Sequence, residues 1–305
     1  MMDGGLNTAV GLTGRTRLLN LLHGFYGVGT AIGPLVVTVA IIGGSWRPAY
    51  LVLGALNVLT AVCWIAYRRS VPAPVAAAVA APVSATGSAA FEDPGTAGPA
   101  RPANPADGWS QRRVVTVLAL GLIVFFLYTG LEVAAGQWET SFLRGQLGLS
   151  ASAAGLAAFG YWGALTAVRI GLALPARQVP AQTVIGSGLL TAIGSSGLIW
   201  WQPEPAATVL AFVLLGGSLA GVFPALIAVT PRRIGEERAK HAIAWQVGAA
   251  AAGGSGISAV IGLLIDQTSL AVLGPAVVVL ALLLFAANMA LTRLAPIRGG
   301  SAADR

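Results

Sequence analysis

Four residues of one apolar stretch have the spacing of a single helix face. Tyr128, Glu132, Ala135 and Glu139 are separated by 4, 3 and 4 positions, so a helix places them on the same side. An ionisable group inside a membrane is costly and therefore indicates a function. We predict that Glu132 and Tyr128 line a water-filled path for a polar solute. The alternative is that the carboxylate of Glu132 reaches the outer membrane interface, as we expect for Glu139.

Other polar and aromatic side chains in apolar stretches are weaker candidates for the same path. Asn57 either lines a cavity or bonds to a neighbouring helix. Trp162, Trp245 and Gln246 would suit a sugar-like solute, which offers hydroxyls and an apolar ring face, but aromatic residues in a span more often serve packing between helices. Arg169 is expected near the cytoplasmic end of its stretch, where it either reaches the interface or forms a pair.

The sequence contains none of the common catalytic or nucleotide-binding motifs. It has no Gly-rich loop ending in Lys-Ser or Lys-Thr, no His-Glu-x-x-His and no Gly-x-Ser-x-Gly. Cys63 is the only cysteine and there are two histidines, so neither a disulfide nor a metal cluster is expected. We therefore expect no enzyme activity, no cofactor and no metal site.

The composition is that of a membrane protein. Of the 305 residues, 56% are hydrophobic and 10% are charged, whereas soluble domains carry about 25% charged residues. The mean hydropathy is +0.78. These values exclude an ordinary soluble enzyme, and they exclude a disordered chain, which needs low hydrophobicity and high charge.

Eight stretches are long enough to cross a bilayer as helices, which takes about 20 apolar residues. They are 18–43, 47–67, 114–138, 151–174, 181–201, 206–230, 241–265 and 270–293. The sequence therefore predicts an all-α polytopic membrane protein with eight transmembrane helices.

The arginines orient these spans. If the N-terminal tail is cytoplasmic and the spans alternate, all 18 basic residues except Arg47 and Arg144 lie at the cytoplasmic side. Arg232 and Arg233 then belong to a cytoplasmic loop. This distribution over alternate loops speaks against nucleic-acid binding, the other common reason for a net charge of +7. We expect a multi-pass protein of the cell membrane with both termini in the cytoplasm.

A linker divides the chain. Residues 70–112 are rich in Ala, Pro and Gly, a composition typical of a flexible connection. The predicted organisation is a tail at 1–17, a two-helix part at 18–69, the linker, a six-helix part at 113–294 and a tail at 295–305.

Small residues mark the first apolar stretch. Gly29 and Gly33 form a Gly-x-x-x-Gly pair followed by Pro34. We predict that this face packs closely against another helix. A kinked helix that moves during gating is the alternative.

Several segments resemble permeases of the major facilitator superfamily, in its fucose-permease-like branch of sugar transporters. They are Asp3-Gly4-Gly5-Leu6-Asn7, Asn20-Leu21-Leu22-His23-Gly24-Phe25-Tyr26-Gly27 with Gly33-Pro34, Tyr128-x-Gly130-x-Glu132 with Trp138, the stretch from Tyr161 to Arg169, and the stretch from Phe223-Pro224 to Trp245-Gln246-Val247-Gly248. The branch usually has Gly where Val168 stands.

The resemblance implies a twelve-helix secondary transporter with two six-helix halves around a midplane site, working by alternating access. It implies that the eight stretches correspond to the fifth to twelfth helices, that 70–112 is the loop between the halves, and that the first four helices are missing or supplied by a partner. A small polar solute, with a sugar as the candidate and a proton as the candidate coupling ion, follows from the same resemblance.

Two other functions remain open on the sequence. The chain could be a truncated membrane protein or an accessory subunit without transport activity of its own. It could also be a drug or metabolite exporter, because Gly29-x-x-x-Gly33-Pro34 resembles part of the antiporter motif, although Asn20 stands where that motif has a glycine.

Overall fold

The computed structural model describes residues 7, 10, 16–70, 108–174 and 179–297, and the regular structure of these residues is helical. The chain divides into two compact units, residues 1–38 with 103–305 and residues 39–102. The predicted linker 70–112 and the two predicted tails lie mostly outside the described residues. Their boundaries stay predictions.

Helix α1 (Thr16–Ile42) begins in the larger unit and ends in the smaller one, which also holds helix α2 (Arg47–Ser70). The remaining helices belong to the larger unit: α3 (Gln111–Gly145), α4 (Ala151–Ala173), α5 (Ala181–Trp201), α6 (Pro205–Leu219), α7 (Val222–Ile234), α8 (Glu236–Gln267) and α9 (Leu273–Leu294), which follows a 3₁₀ turn (Leu270–Val272).

Among the described residues, seven stretches are long and apolar enough to cross a membrane, and α6 and α7 together form one of them. The predicted span 47–67 coincides with α2, whose 24 residues rise about 36 Å at 1.5 Å per residue. Within the described side chains its apolar part is Arg47–Cys63, so the expected number of eight stays a prediction.

Helix α3 is the centre of the larger unit. It packs against α8, α9 and α4, while α6 packs against α4 and α5. The approach of α3 to α8 requires glycine, because a Cβ on Gly253 would fall on the backbone carbonyl of Phe126. Serine side chains begin two of the helices: the Ser110 hydroxyl accepts from the Arg113 amide at the start of α3, and Ser150 does the same for Ala153 in α4.

The span predicted at 206–230 is one stretch in the sequence but two helices in the structure. Helix α6 ends at Leu219 and α7 begins at Val222, with Ala220 and Gly221 between them. Pro224 explains the break, because it has no N–H to donate to the carbonyl of Ala220 four residues earlier. The predicted span itself is confirmed, because Pro205–Ile234 is one stretch long and apolar enough to cross a membrane. This broken span is also the most buried of the seven.

The glycines of α1 that meet another helix differ from the predicted pair. A Cβ would have open space at Gly29 and at Gly33, whereas Cβ atoms at Gly27 and Gly24 would meet Thr166 and Ile170 of α4. Within the described residues α4 lies against the side of α1 that carries Gly24 and Gly27, so the packing role of the Gly29–Gly33 pair stays a prediction. Pro34 lies within α1.

Candidate functional site

A buried ionic cluster, formed by Tyr128, Glu132 and Arg169, joins α3 to α4. Arg169 Nη2 lies 3.0 Å from Glu132 Oε2. The two residues are 2% and 7% exposed, so the pair is shielded from solvent. Sequence reasoning allowed pairing for Arg169 but identified no partner.

The contact between Arg169 and Glu132 puts the two side chains at one level of the bundle. Helix α3, which carries Glu132, has 35 residues, about 52 Å at 1.5 Å per residue, so it is longer than the hydrocarbon is thick. The depth of the two residues in a membrane stays a prediction.

The ionic cluster also bonds the carbonyl groups at the helix break. Arg169 Nε donates to the carbonyl of Ala220 across 2.8 Å. The Tyr128 hydroxyl lies 2.8 Å from the carbonyl of Leu219 and also contacts the Glu132 carboxylate. Because the hydroxyl has one proton, it donates to one of these acceptors at a time. Buried carbonyls without a partner are destabilising. The side chains of Arg169 and Tyr128 therefore supply the hydrogen bonds that the interrupted helix cannot make itself.

A second tyrosine supports the ionic cluster from α4. The Tyr161 hydroxyl donates to the backbone carbonyl of Glu132 across 2.8 Å. Its ring stands nearly perpendicular to that of Trp162, with the ring centroids 5.0 Å apart. A Cβ on Gly136 would fall on both rings. The candidate path residue Trp162 is thus half-buried against α3.

Aromatic rings cover the α7 side of the ionic cluster. The ring of Phe223 lies 5.8 Å from Tyr128, 5.2 Å from Phe125 and 4.9 Å from His23, measured between centroids. His23 Nε2 lies 2.9 Å from Asn7 Oδ1. Helix α1 therefore contributes to the surroundings of the ionic cluster.

The predicted polar face of α3 is buried as a whole. Tyr128, Glu132, Ala135 and Glu139 are all buried side chains. The expectation that Glu139 reaches the outer interface is wrong, since it is 0% exposed and neither carboxyl oxygen has a hydrogen-bond partner among the described residues. That this face lines a solute path stays a prediction.

The other candidate path residues lie apart from the ionic cluster. Asn57, in the smaller unit, is exposed and bonds its own helix through the carbonyl of Leu53. Trp245 is 71% exposed. Gln246 is buried, and its Oε1 accepts from the hydroxyl of Thr230 across 3.1 Å. Their roles in a solute path are likewise untested predictions.

The two arginines predicted in a cytoplasmic loop are helical. Arg232 and Arg233 form the last turn of α7, and Gly235, at φ +83°, makes the connection to α8. Arg232 is exposed, whereas Arg233 is buried and donates to the hydroxyl of Thr292 across 3.2 Å. Glycine tolerates this positive φ, so a single residue joins the two helices. Arg232 and Arg233 are therefore helical and not in a loop, and their cytoplasmic location stays a prediction.

Sequence reasoning missed the helix break, although Gly221 and Pro224 signal it. Proline has no N–H to donate to the carbonyl four residues earlier, so that carbonyl needs another donor. Here the donor is Arg169, which belongs to another span.

Among the described residues there is no group of three or more His, Cys, Asp or Glu that could hold a metal ion.

Among the residues that the structure describes, seven stretches are long and apolar enough to cross a membrane, and they define a polytopic helical membrane protein. The family model of the Major Facilitator Superfamily matches residues 7–259, and the chain belongs to this superfamily. Its members are secondary transporters of small solutes and not enzymes. Comparisons with curated proteins and with solved structures gave no match.

Proposed function

We propose that this transporter moves a small polar solute of the sugar class across the cell membrane by alternating access, with the ionic cluster as the switch. The observation that carries this proposal is the Arg169–Glu132 pair at the break of the most buried span. The resemblance to sugar permeases and the half-buried ring of Trp162 beside the ionic cluster support the sugar class.

The geometry suggests how the ionic cluster controls the bundle. At the break, the carbonyls of Leu219 and Ala220 bond to side chains of α3 and α4. If the charge on Glu132 is removed, Arg169 and Tyr128 rearrange and release these carbonyls. Helix α7 can then move relative to α6, which is the kind of change that a broken helix permits in a transporter.

A proton is the candidate coupling ion within this proposal. Glu132 is the carboxylate of the ionic cluster, and protonation of a carboxylate removes the partner charge of Arg169. Proton uptake at Glu132 would thus have the same effect on the break as neutralising the residue. If the solute and the proton both bind preferentially to the state in which the Arg169–Glu132 pair is open, the two are transported together.

The orientation is part of the proposal. The arginine distribution supports a cytoplasmic location for both termini and for the end of α7 that carries Arg232 and Arg233. We place the protein in the cell membrane on the same ground.

Transport assays on membrane vesicles test the proposal, because native membranes retain any partner that the chain needs. The probes are radiolabelled L-fucose, D-galactose and D-glucose, with and without an inward proton gradient. The wild-type chain should accumulate at least one of them, and Glu132→Gln and Arg169→Gln should lower the rate about tenfold or more, since tenfold is about 1.4 kcal/mol.

Glu237→Gln is the matched control. It neutralises the carboxylate of the exposed Lys240–Glu237 pair and should transport like wild type. Wild-type uptake by Glu132→Gln at equal protein levels would contradict the role of the ionic cluster. Absence of uptake of all three sugars by the wild-type chain would contradict the sugar class.

A further inference from the structure

Arg233 is a buried cation with no carboxylate partner among the residues that the structure describes. It is 5% exposed, and its Nε has no hydrogen-bond partner within the same residues. The ion pairs there, Arg169–Glu132 and Lys240–Glu237, do not include it. The negative end of α7 offsets only part of the cost of this charge, because an uncompensated buried charge is strongly destabilising.

A small cavity lies against this cation. It is lined by residues of α3, α7, α8 and α9, has a volume of about 20 Å³, and its polar lining consists of Arg233, Thr230 and Gln246. The rest of the lining is apolar, Phe125 and Leu226 included. A cavity needs roughly 10–15 Å³ to hold one water-sized species, so this one has room for a single small occupant.

The polar groups around the cavity favour a negatively charged occupant. The Gln246 side chain carries an Nε2 amide donor beside its Oε1, which lies 3.1 Å from the Thr230 hydroxyl. Arg233 Nε is a second N–H donor, and it carries a positive charge. A water molecule would satisfy the donors but would leave the charge uncompensated. An anion satisfies both.

A wider pocket lies next to the cavity. The pocket has a volume of about 430 Å³ and shares Leu118 and Gln246 with the lining of the cavity. Arg238 and His241 also line it. Basic groups on the wall of a pocket raise the local concentration of anions.

We propose that the cavity beside Arg233 is a binding site for one small monovalent anion of the halide class, held by Arg233 Nε and Gln246 Nε2. The site is separate from the ionic cluster, since Gln246 meets α3 at Gly121, seven residues and about 10 Å before Tyr128. Because the lining comes from α3, α7, α8 and α9, the bound anion holds together four helices of the larger unit.

Thermal unfolding of the purified full-length chain tests this site without any transport assay. Unfolding is measured in sodium chloride and in sodium gluconate at equal ionic strength. A ligand that binds the folded state raises the unfolding temperature as its concentration rises, so chloride should raise it by several degrees over gluconate. Bromide should act like chloride, whereas sulfate, which is too large for the cavity, should not.

Arg233→Gln should abolish the difference between chloride and gluconate. Arg232→Gln is the matched control, because it removes the same charge from the exposed neighbour in the same helical turn, and it should keep the difference. Equal unfolding temperatures of the wild-type chain in the two salts would overturn the proposal and leave water as the occupant. An unchanged chloride response in Arg233→Gln would overturn the assignment of the site.

Should Arg233→Gln fail to fold, the wild-type chain still decides the matter. Crystals grown in bromide should show an anomalous scattering peak beside Arg233 Nε. A peak only at surface positions would contradict the proposal.

Discussion

Arg169 Nε donates to the carbonyl of Ala220, so a side chain of α4 forms a hydrogen bond with the backbone at the break between α6 and α7. Pro224 leaves this carbonyl without a partner in its own helix. The same guanidinium forms an ion pair with Glu132 through Nη2. One residue therefore connects the charge on α3 to the conformation of the most buried span.

Neutralising Glu132 should be strongly destabilising. Glu132→Gln leaves the buried charge of Arg169 without its partner, which costs about 3–5 kcal/mol in the free energy of unfolding. Unfolding in a denaturing detergent, followed by circular dichroism, measures the difference from wild type. Glu237→Gln breaks an exposed pair and should cost about 0–1 kcal/mol. Equal costs for the two variants would contradict the buried pair.

Removing the hydroxyl of Tyr128 tests its contact with the helix break. Tyr128→Phe leaves the carbonyl of Leu219 and the Glu132 carboxylate with one donor fewer, at a cost of about 1–3 kcal/mol. The same unfolding assay detects it. Tyr50→Phe, at an exposed position of α2, is the control and should have no measurable effect. A neutral Tyr128→Phe would show that the hydroxyl bonds contribute nothing.

Restoring a backbone donor at the break should separate stability from transport. In Pro224→Ala the new N–H can bond the carbonyl of Ala220, so the hold of Arg169 on that carbonyl weakens. We expect unfolding at the wild-type temperature or above it, together with slower solute uptake. Pro231→Ala changes a proline in the last turn of α7 and should leave uptake unchanged. Full uptake by Pro224→Ala would count against the break as a moving part.

Two glycines of α1 should respond to alanine with opposite signs. A Cβ at position 27 would collide with Thr166 of α4, and such overpacking costs about 1–3 kcal/mol. At position 29 the Cβ meets open space, so Gly29→Ala should stabilise by about 0.5–1 kcal/mol through helix propensity. Thermal unfolding of the two variants measures both effects. A destabilised Gly29→Ala would contradict the open space at position 29 and would support packing of the Gly29–Gly33 face against another helix.

Helix periodicity and hydropathy predicted much of the fold. They placed α4 and α5 within a residue of their observed bounds, and they put Tyr128, Glu132, Ala135 and Glu139 on one face of α3. These features are local, because hydrophobic length and a period of 3.6 residues depend on neighbouring positions alone.

The features that failed depend on contacts between helices. The partner of Arg169 comes from another span, and the burial of Glu139 and Arg233 depends on how α3 and α7 are rotated in the bundle. Spacing identified a glycine pair at Gly29 and Gly33 but could not show that α4 lies on the side of Gly27. The break at Ala220 was readable in Pro224, whereas its bond to Arg169 was not.

Hydrogen–deuterium exchange of the peptide covering Leu215–Leu226 tests the central claim most directly. The account predicts that Glu132→Gln accelerates exchange at the break, because Arg169 and Tyr128 lose their hold on the carbonyls of Ala220 and Leu219 and the adjoining helix ends open more often. Glu237→Gln should exchange like wild type. Identical exchange of this peptide in the wild-type chain and in Glu132→Gln would contradict the claim that the ion pair controls the broken helix.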